Sequence, residues 1–565
     1  MLIGIKTLIH KDYKWRHFHS RKEIDFIDKK EFFFNKINYF VILFFTTIFL
    51  ALWPLIKDYG VTLDDFIYYV NGEKTYLYVK SLFLSFFDNN IDHSQFRAAL
   101  KEYPTIYELF LVLICKILGV NDFHNIYLVS HKINFLLFFL ALLIFFNVIQ
   151  TRFNNKFLSL LGILFFILSP RILAESFYNS RDIFFMCLFV FYLNSVINYL
   201  NKKNLKNVLL LSFFSALLIN TKIFGIIPLT IFSFLYIYNF LNTKSKFILE
   251  KKNIFLFFIF CALFIYAFWP YLWSSPFKNL FFALFNMLEK HESLILINLY
   301  FGKYIPSDMM PWHYRLVWFF ITTPLVVCFL FFLGLVISMK RLFRSFSKSL
   351  QKKSDISNNE FFDIFLLSNF LIIFFVVIEF NVSNFGGWRH LYFLYPIVIY
   401  LSLYFINEIL ESASKIVKYI LIIIIFLNLF YNLNWSIKNH PHQYVFFNIV
   451  SKKFTKNNFD LDWWGVSHKS SLEYILKDTN KKKIKIFAEG FTSLKDTYLF
   501  LNKEDKKRII LSDFKNADYI IDSKMRRIRV NNMIQNNDNF KLVYQLIVDE
   551  HVVNGIYKKI TETNR

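Results

Sequence analysis

Apolar positions in this chain come in long uninterrupted runs, not in the short periodic sets that line a soluble core. The runs are Ile37–Ile56, Ile133–Ile149, Phe157–Leu173, Ile183–Leu200, Val208–Asn220, Ile223–Phe240, Ile254–Trp269, Leu316–Ile337, Phe361–Phe380, Leu391–Ile406 and Tyr419–Leu433. Most approach the ~20 residues that a helix needs to cross a hydrocarbon core of about 30 Å. The pattern predicts a mainly α protein, a polytopic membrane bundle of about eleven spans. A further run, Pro104–Val120, is interrupted by Glu108 and Lys116 and predicts an interfacial or re-entrant helix.

Charge orients these spans. The formal net charge is +24, a value that on a soluble chain would suggest nucleic acid, but here the basic residues sit in the loops between apolar runs. Residues 1–36 hold nine Lys and Arg and form a cytoplasmic basic segment under the positive-inside rule. Arg152/Lys156, Lys202/Lys203/Lys206, Lys244/Lys246/Lys251/Lys252, Lys340–Lys353 and Lys415/Lys418 all fall on the same side only if Pro104–Val120 does not cross. The C-terminus is then outside. The first apolar run has no small-residue cleavage site after it and reads as an anchor.

Three segments lie outside this pattern. A long polar stretch with an acidic excess runs from the first span to about Tyr103. Pro270–Arg315 carries an amphipathic stretch at Phe277–Leu288, suited to the membrane surface. Residues 435–565 have ordinary soluble composition, with strand-like runs at Lys483–Ala488, Arg508–Leu511, Tyr519–Asp522, Lys541–Val548 and Val552–Lys559. They predict a small extracytoplasmic α/β domain following a membrane module over 37–434. The four cysteines all lie within apolar runs without a CxxC pair, which argues against a disulfide framework or zinc knuckle.

The same topology places on the outer face the polar residues that break the apolar pattern: Asp64, Asp65, Glu102, Glu175, Asp182, Lys222, His313, Arg389, His390 and His440. Only Lys and Arg were used to set the parity, so the gathering of the acids is an independent observation. Adjacent carboxylates such as Asp64-Asp65 can supply a general base, although an acidic doublet is also an ordinary loop start. Asp182, beside Arg181, sits in a polar turn pinned between two apolar runs, where charge is costly unless paired or solvated. Lys222 splits an apolar stretch and could hold a lipid phosphate at the interface, or snorkel from a tight turn. His313 with Glu102 is a weak candidate for a divalent metal, because no ligand pair has diagnostic spacing. Trp and Tyr near His313 and His390 fit interface anchors.

Ordered pieces along the membrane part carry a resemblance. They are Asp64-Asp65, Glu102-Tyr-Pro104, Ser169-Pro-Arg171 with Ser176-Phe-Tyr-Asn-Ser-Arg-Asp182, Trp269-Pro-Tyr-Leu-Trp273, Met310-Pro-Trp-His-Tyr314, Thr322-Thr-Pro324, Arg389-His-Leu-Tyr392, His440-Pro-His-Gln-Tyr444 and Leu461-Asp-Trp-Trp-Gly465. The chain resembles the bacterial branch of glycosyltransferase family 39, the superfamily of protein O-mannosyltransferases and lipid A aminoarabinose transferases with the C-type fold. The resemblance implies inverting transfer of a sugar from a polyprenyl-phosphate carrier to a lipid, glycan or protein acceptor, at the outer face of a bacterial inner membrane. It implies Asp64 as base, Asp182 as the second acidic position, Lys222, Arg181 and Arg389 against the donor phosphate, and Glu102 near metal or phosphate. The doublet is Asp-Asp where Asp-Glu is usual, and Tyr103 replaces a basic residue or His. The alternative class, a transporter or lipid flippase, requires charged residues lining a path at mid-span, and these spans are almost charge-free there.

Overall fold

The computed structural model describes the chain except residues 1–38, 89–93, 99, 101–102, 243–246, 294, 351–355, 380–384, 489–490, 524–538 and 561–565. Two compact units are defined, Met1–Pro54 and Leu55–Arg565. The described part of the first is the apolar helix Tyr39–Leu52, which runs into a 3-10 turn at Trp53–Lys57.

Among the described residues nine helices are long and apolar enough to cross a membrane. Two of the expected runs fall short of that test for local reasons. Phe157–Leu173 divides into helices Lys156–Ile167 and Pro170–Tyr178, bent by 70°. Pro170 lacks an N–H and excludes helical backbone at the residue before it, and Ser169 is accordingly extended at φ −94°, ψ 99°. Val208–Asn220 is a helix of 15 residues, Leu205–Ile219, which reaches only about 22 Å. Leu316–Ile337 likewise breaks before Pro324, into Tyr314–Thr322 and Leu325–Leu350. The interrupted run forms the 12-residue helix Ile106–Ile117, too short at about 18 Å to span.

Spans Asp182–Asn201 and Arg389–Ser412 are the most buried. Lys251–Phe268 and Lys415–Lys438 leave Phe255, Leu263, Ile423 and Phe430 exposed, as lipid contact allows. The polar stretch after the first span differs from expectation: much of it is the helix Asp65–Ser85. Its buried face mixes Tyr69 and Tyr78 with the small or polar Asn71, Gly72, Thr75 and Ser81, and it packs on the Ile106–Ile117 helix, so a search for apolar runs passes over it. Thr75 Oγ1 lies 2.9 Å from Thr105 Oγ1 across this contact.

The helix Phe123–Phe153 is about 45 Å long and connects two polar regions. Near its C-terminal end Arg152 forms a two-pronged ion pair with Asp363, at 2.8 and 2.5 Å, and the Tyr400 hydroxyl donates to the same carboxylate. Three helices are joined there. The other end approaches the candidate site.

After the spans comes a sheet of order β4-β3-β5-β7-β6, built from β3 (Ile484–Ala488), β4 (Ile509–Leu511), β5 (Tyr519–Ser523), β6 (Phe540–Val548) and β7 (His551–Lys559). β3 pairs in parallel with β4 and β5, while β7 is antiparallel to β5 and β6. All five strand-like runs are strands. Their apolar positions, among them Ile484, Ile486, Ile521 and Ile556, form one core with Leu472 and Ile475 of the helix His468–Asp478. A hairpin of β1 (Ile297–Tyr300) and β2 (Lys303–Pro306) stands apart from it. The helix Phe491–Phe500 docks this layer on the bundle, with Phe500 packed against Tyr127 and His131.

Candidate active site

The turn between Pro170–Tyr178 and Asp182–Asn201 is held by Asn179. Its Oδ1 accepts from the Asp182 N–H at 2.9 Å, which starts the second helix as a capping side chain does. Its Nδ2 donates to Glu175 Oε2 at 2.8 Å and to Asp182 Oδ2 at 3.1 Å. The Asp182 carboxylate is thereby fixed, with 2% of its side chain exposed.

Three basic side chains converge on it. Lys222, preceding the span Ile223–Phe240, pairs with Oδ1. Arg389 Nη1 donates to Oδ2 at 3.1 Å, and His390 Nδ1 lies 3.7 Å from Oδ1. Burial pushes the Lys222 ammonium down, and the adjacent Asp182 carboxylate opposes that shift. One carboxylate thus faces two cations and a histidine, a local surplus of positive charge. Arg389 Nε and His390 Nε2 are buried without a hydrogen-bond partner among the described residues; the Arg389 N–H is thus an unused donor, while the role of His390 Nε2 depends on its tautomer.

Asp64 stands at the N-terminus of the Asp65–Ser85 helix, half-buried, and faces this cluster across Tyr68 and Arg389. The Tyr68 hydroxyl donates to Asp64 Oδ2 at 3.3 Å, and the Trp464 indole N–H donates to the same oxygen at 3.2 Å. Oδ1 carries no hydrogen bond among the described residues. Arg181 closes the same side. Its guanidinium lies over Tyr68 at 4.5 Å and pairs with Glu108 at 2.8 Å. Glu108, which the sequence marks only as an interruption of an apolar run, is the buried counter-charge of Arg181.

Asp65 engages a different partner from Asp64. It is buried, and its Oδ2 accepts from the Thr62 N–H at 2.7 Å, which closes the loop that carries Asp64. Burial raises the Asp65 carboxyl to about 7. Asp496, on the helix Phe491–Phe500, is raised to about 8 by burial and by the charge of Asp65. Unfolded Asp titrates near about 3.9, so between about pH 4 and pH 8 the folded state binds more protons. Stability from these two raised carboxyls is therefore complete below that window and is lost as pH rises through it. Thermal unfolding of the intact protein should occur at lower temperature at about pH 8.5 than at about pH 5.5, and Asp496→Asn should shrink that difference.

The remaining candidates are placed elsewhere. Glu175 lies beneath Asp182, accepting from the Tyr392 hydroxyl at 2.6 Å. His440 Nε2 is 2.9 Å from Asp58 Oδ2 and so braces the approach to the Asp64 loop. His313 Nδ1 is 2.7 Å from the Tyr300 hydroxyl. Glu102 lies outside the described residues. Among the described residues no group of three or more His, Cys, Asp or Glu is placed to hold a metal ion, and the expected pair of Glu102 with His313 lies partly outside them.

Fold and site together define a polytopic helical membrane protein with a five-stranded α/β layer, whose polar residues converge on one carboxylate-and-cation cluster. No protein-family model matches the chain, and no curated protein sequence does. Among solved structures it is similar to ArnT from Cupriavidus metallidurans bound to undecaprenyl phosphate, at 10% identity and TM-score 0.45, over 93% of this chain and 99% of that one. It is similar to the archaeal oligosaccharyltransferase AglB from Archaeoglobus fulgidus in complex with an inhibitory peptide and a dolichol-phosphate, at 11% identity and TM-score 0.41, over 75% of this chain and 62% of that one. A complex of the Archaeoglobus fulgidus oligosaccharyltransferase with Zn and sulfate is similar at 12% identity and TM-score 0.38, over 75% and 60% of the two chains. The chain thus spans 60% to 62% of the length of these archaeal enzymes.

Proposed function

We propose that this protein is a membrane glycosyltransferase that moves a sugar from a polyprenyl-phosphate carrier to an acceptor hydroxyl, with inversion and with Asp64 as general base. The observation that carries the reading is the pairing of a half-buried carboxylate, held through one oxygen and without a hydrogen bond at the other among the described residues, with a buried cation cluster that keeps an unused Arg389 N–H. The ordered sequence motifs support the same reading.

The chemistry follows from that pairing. The bond from the anomeric carbon to the phosphate oxygen breaks, and its electron pair leaves with the polyprenyl phosphate. The leaving phosphate gains a negative charge, which Lys222 and Arg389 offset. The acceptor oxygen bonds to the anomeric carbon from the opposite face, and its proton passes to Asp64 Oδ1. Asp182 is the fixed counter-charge that holds both cations in place, and Asp65 holds the loop. Arg181 is anchored by Glu108 beside Tyr68, where it adds to the positive field. The active face and the C-terminal α/β layer lie outside the cytoplasm, as the basic loops require.

A single displacement has a stereochemical signature. A donor of defined anomeric configuration should give a product of the opposite configuration, read by the anomeric proton coupling in NMR. Retained configuration would contradict a one-base mechanism, because it needs a covalent intermediate or a second displacement.

A further inference from the structure

The sequence motif Leu461-Asp-Trp-Trp-Gly465 lies about 400 residues from Asp64 in the chain, yet its second Trp is in the site. The segment is built to present that side chain. Asp462 is buried, and its carboxylate accepts from the Val466 N–H at 3.0 Å, from the Ser467 N–H at 2.8 Å and from the Ser467 hydroxyl. Gly465 has φ +73°, and a Cβ there would lie 1.9 Å from Ser493 Oγ, so only glycine fits the bend. Ser493, on the helix Phe491–Phe500, donates to the Trp464 carbonyl at 3.1 Å. On the other side a Cβ at Gly60 would stand 2.3 Å from the Val466 carbonyl oxygen, so the loop leading to Asp64 runs directly against this turn.

The side chain so fixed makes two contacts at once. Its N–H donates to Asp64 Oδ2 at 3.2 Å, and its ring carries the Arg389 guanidinium at 4.4 Å. Arg389 in turn binds Asp182 at 3.1 Å. Trp464 is therefore a single rigid group touching both the carboxylate and the cation cluster, and it is supplied by the segment that leads into the C-terminal sheet.

We propose that Trp464 is a positioning residue through which the C-terminal α/β layer completes the active site, its N–H orienting Asp64 and its ring face supporting Arg389. The inference rests on the transferase reading above. The N–H holds Oδ2 so that Oδ1 faces the acceptor, which affects turnover. The ring favours one guanidinium orientation through cation–π attraction, which affects phosphate binding. The two roles are separable, since phenylalanine keeps a ring and lacks the donor.

The test uses the full chain purified in detergent. In a 15N spectrum of the indole groups, the Trp464 resonance, assigned by its loss in Trp464→Phe, should move upfield in Asp64→Asn as the charged acceptor disappears. Trp464→Phe should bind undecaprenyl phosphate within about twofold of wild type and turn over donor about tenfold more slowly. Trp464→Leu should also weaken undecaprenyl phosphate binding about tenfold. An unmoved resonance, wild-type turnover by Trp464→Phe, or wild-type binding by Trp464→Leu overturns the proposal. Trp464→Phe keeps the packing and decides the question even if Trp464→Leu unfolds. The resonance does not depend on transfer, so a wild type that releases no polyprenyl phosphate from any sugar donor would refute the transferase reading without touching the contact.

Discussion

Asp64→Asn should lower sugar transfer by about 10²- to 10⁴-fold, the range that a positioned general base contributes. Asparagine keeps the shape and still accepts from Tyr68 and Trp464, so the hydrogen bonds that hold position 64 need not be lost. What disappears is the ability to take a proton. Because Asp64 is half-buried and carries no ion pair among the described residues, thermal stability and undecaprenyl phosphate binding should stay near wild type. A fall in stability comparable to the fall in activity would instead make Asp64 a structural carboxylate. Asp65→Asn makes a useful contrast, since Asp65 faces Thr62 and Asp496 and should alter the pH dependence of unfolding more than turnover.

Asp182→Asn should show the reverse balance. Asp182 is the counter-charge of Lys222 and Arg389, whose side chains are 20% and 10% exposed. Removing it leaves two nearly buried cations facing each other. Breaking a buried pair in this way costs about 3 kcal/mol or more, the low end applying here because Lys222 keeps some access to water. The variant should therefore melt earlier than wild type and lose activity because the cations are no longer fixed. Asp182→Asn combined with Lys222→Met removes both the carboxylate and one stranded cation, and it should recover much of the melting temperature but no activity. If the double variant is as unstable as the single one, the stability of this region does not come from the ion pair. Recovery of activity in it would show that Lys222 is dispensable for the donor.

Much of this was legible in the chain, for reasons that differ by element. Membrane spans announce themselves because lipid demands about 20 consecutive apolar residues, and strand runs such as Ile484–Ala488 alternate in burial along the chain. That Asp64, Asp182, Lys222, Arg389 and His390 share one face of the membrane followed from loop parity, which does not by itself say which residues of that face meet. Contacts that cross the structure were not legible. Glu108 meets Arg181 across 73 positions, and nothing local distinguishes it from an interruption in an interfacial helix. The Asp65–Ser85 helix escaped because its buried face interleaves Tyr69 and Tyr78 with small or polar residues and has no long apolar run to betray it. Trp464 had a signal of a kind, two adjacent Trp in a region of soluble composition, but its partner lies in another part of the chain. His313 likewise gave no local sign of its partner, the Tyr300 hydroxyl 2.7 Å from its Nδ1.

The central claim is that this cluster cleaves the sugar–phosphate bond of a polyprenyl-phosphate sugar. The most direct measurement is release of polyprenyl phosphate from a panel of such donors by the purified protein, with a membrane extract as acceptor source and Asp64→Asn in parallel. Release from one donor class by wild type, lost in the variant, is the predicted result and names the sugar at the same time. Release that is equal in both proteins, or absent from every donor, would contradict the assignment.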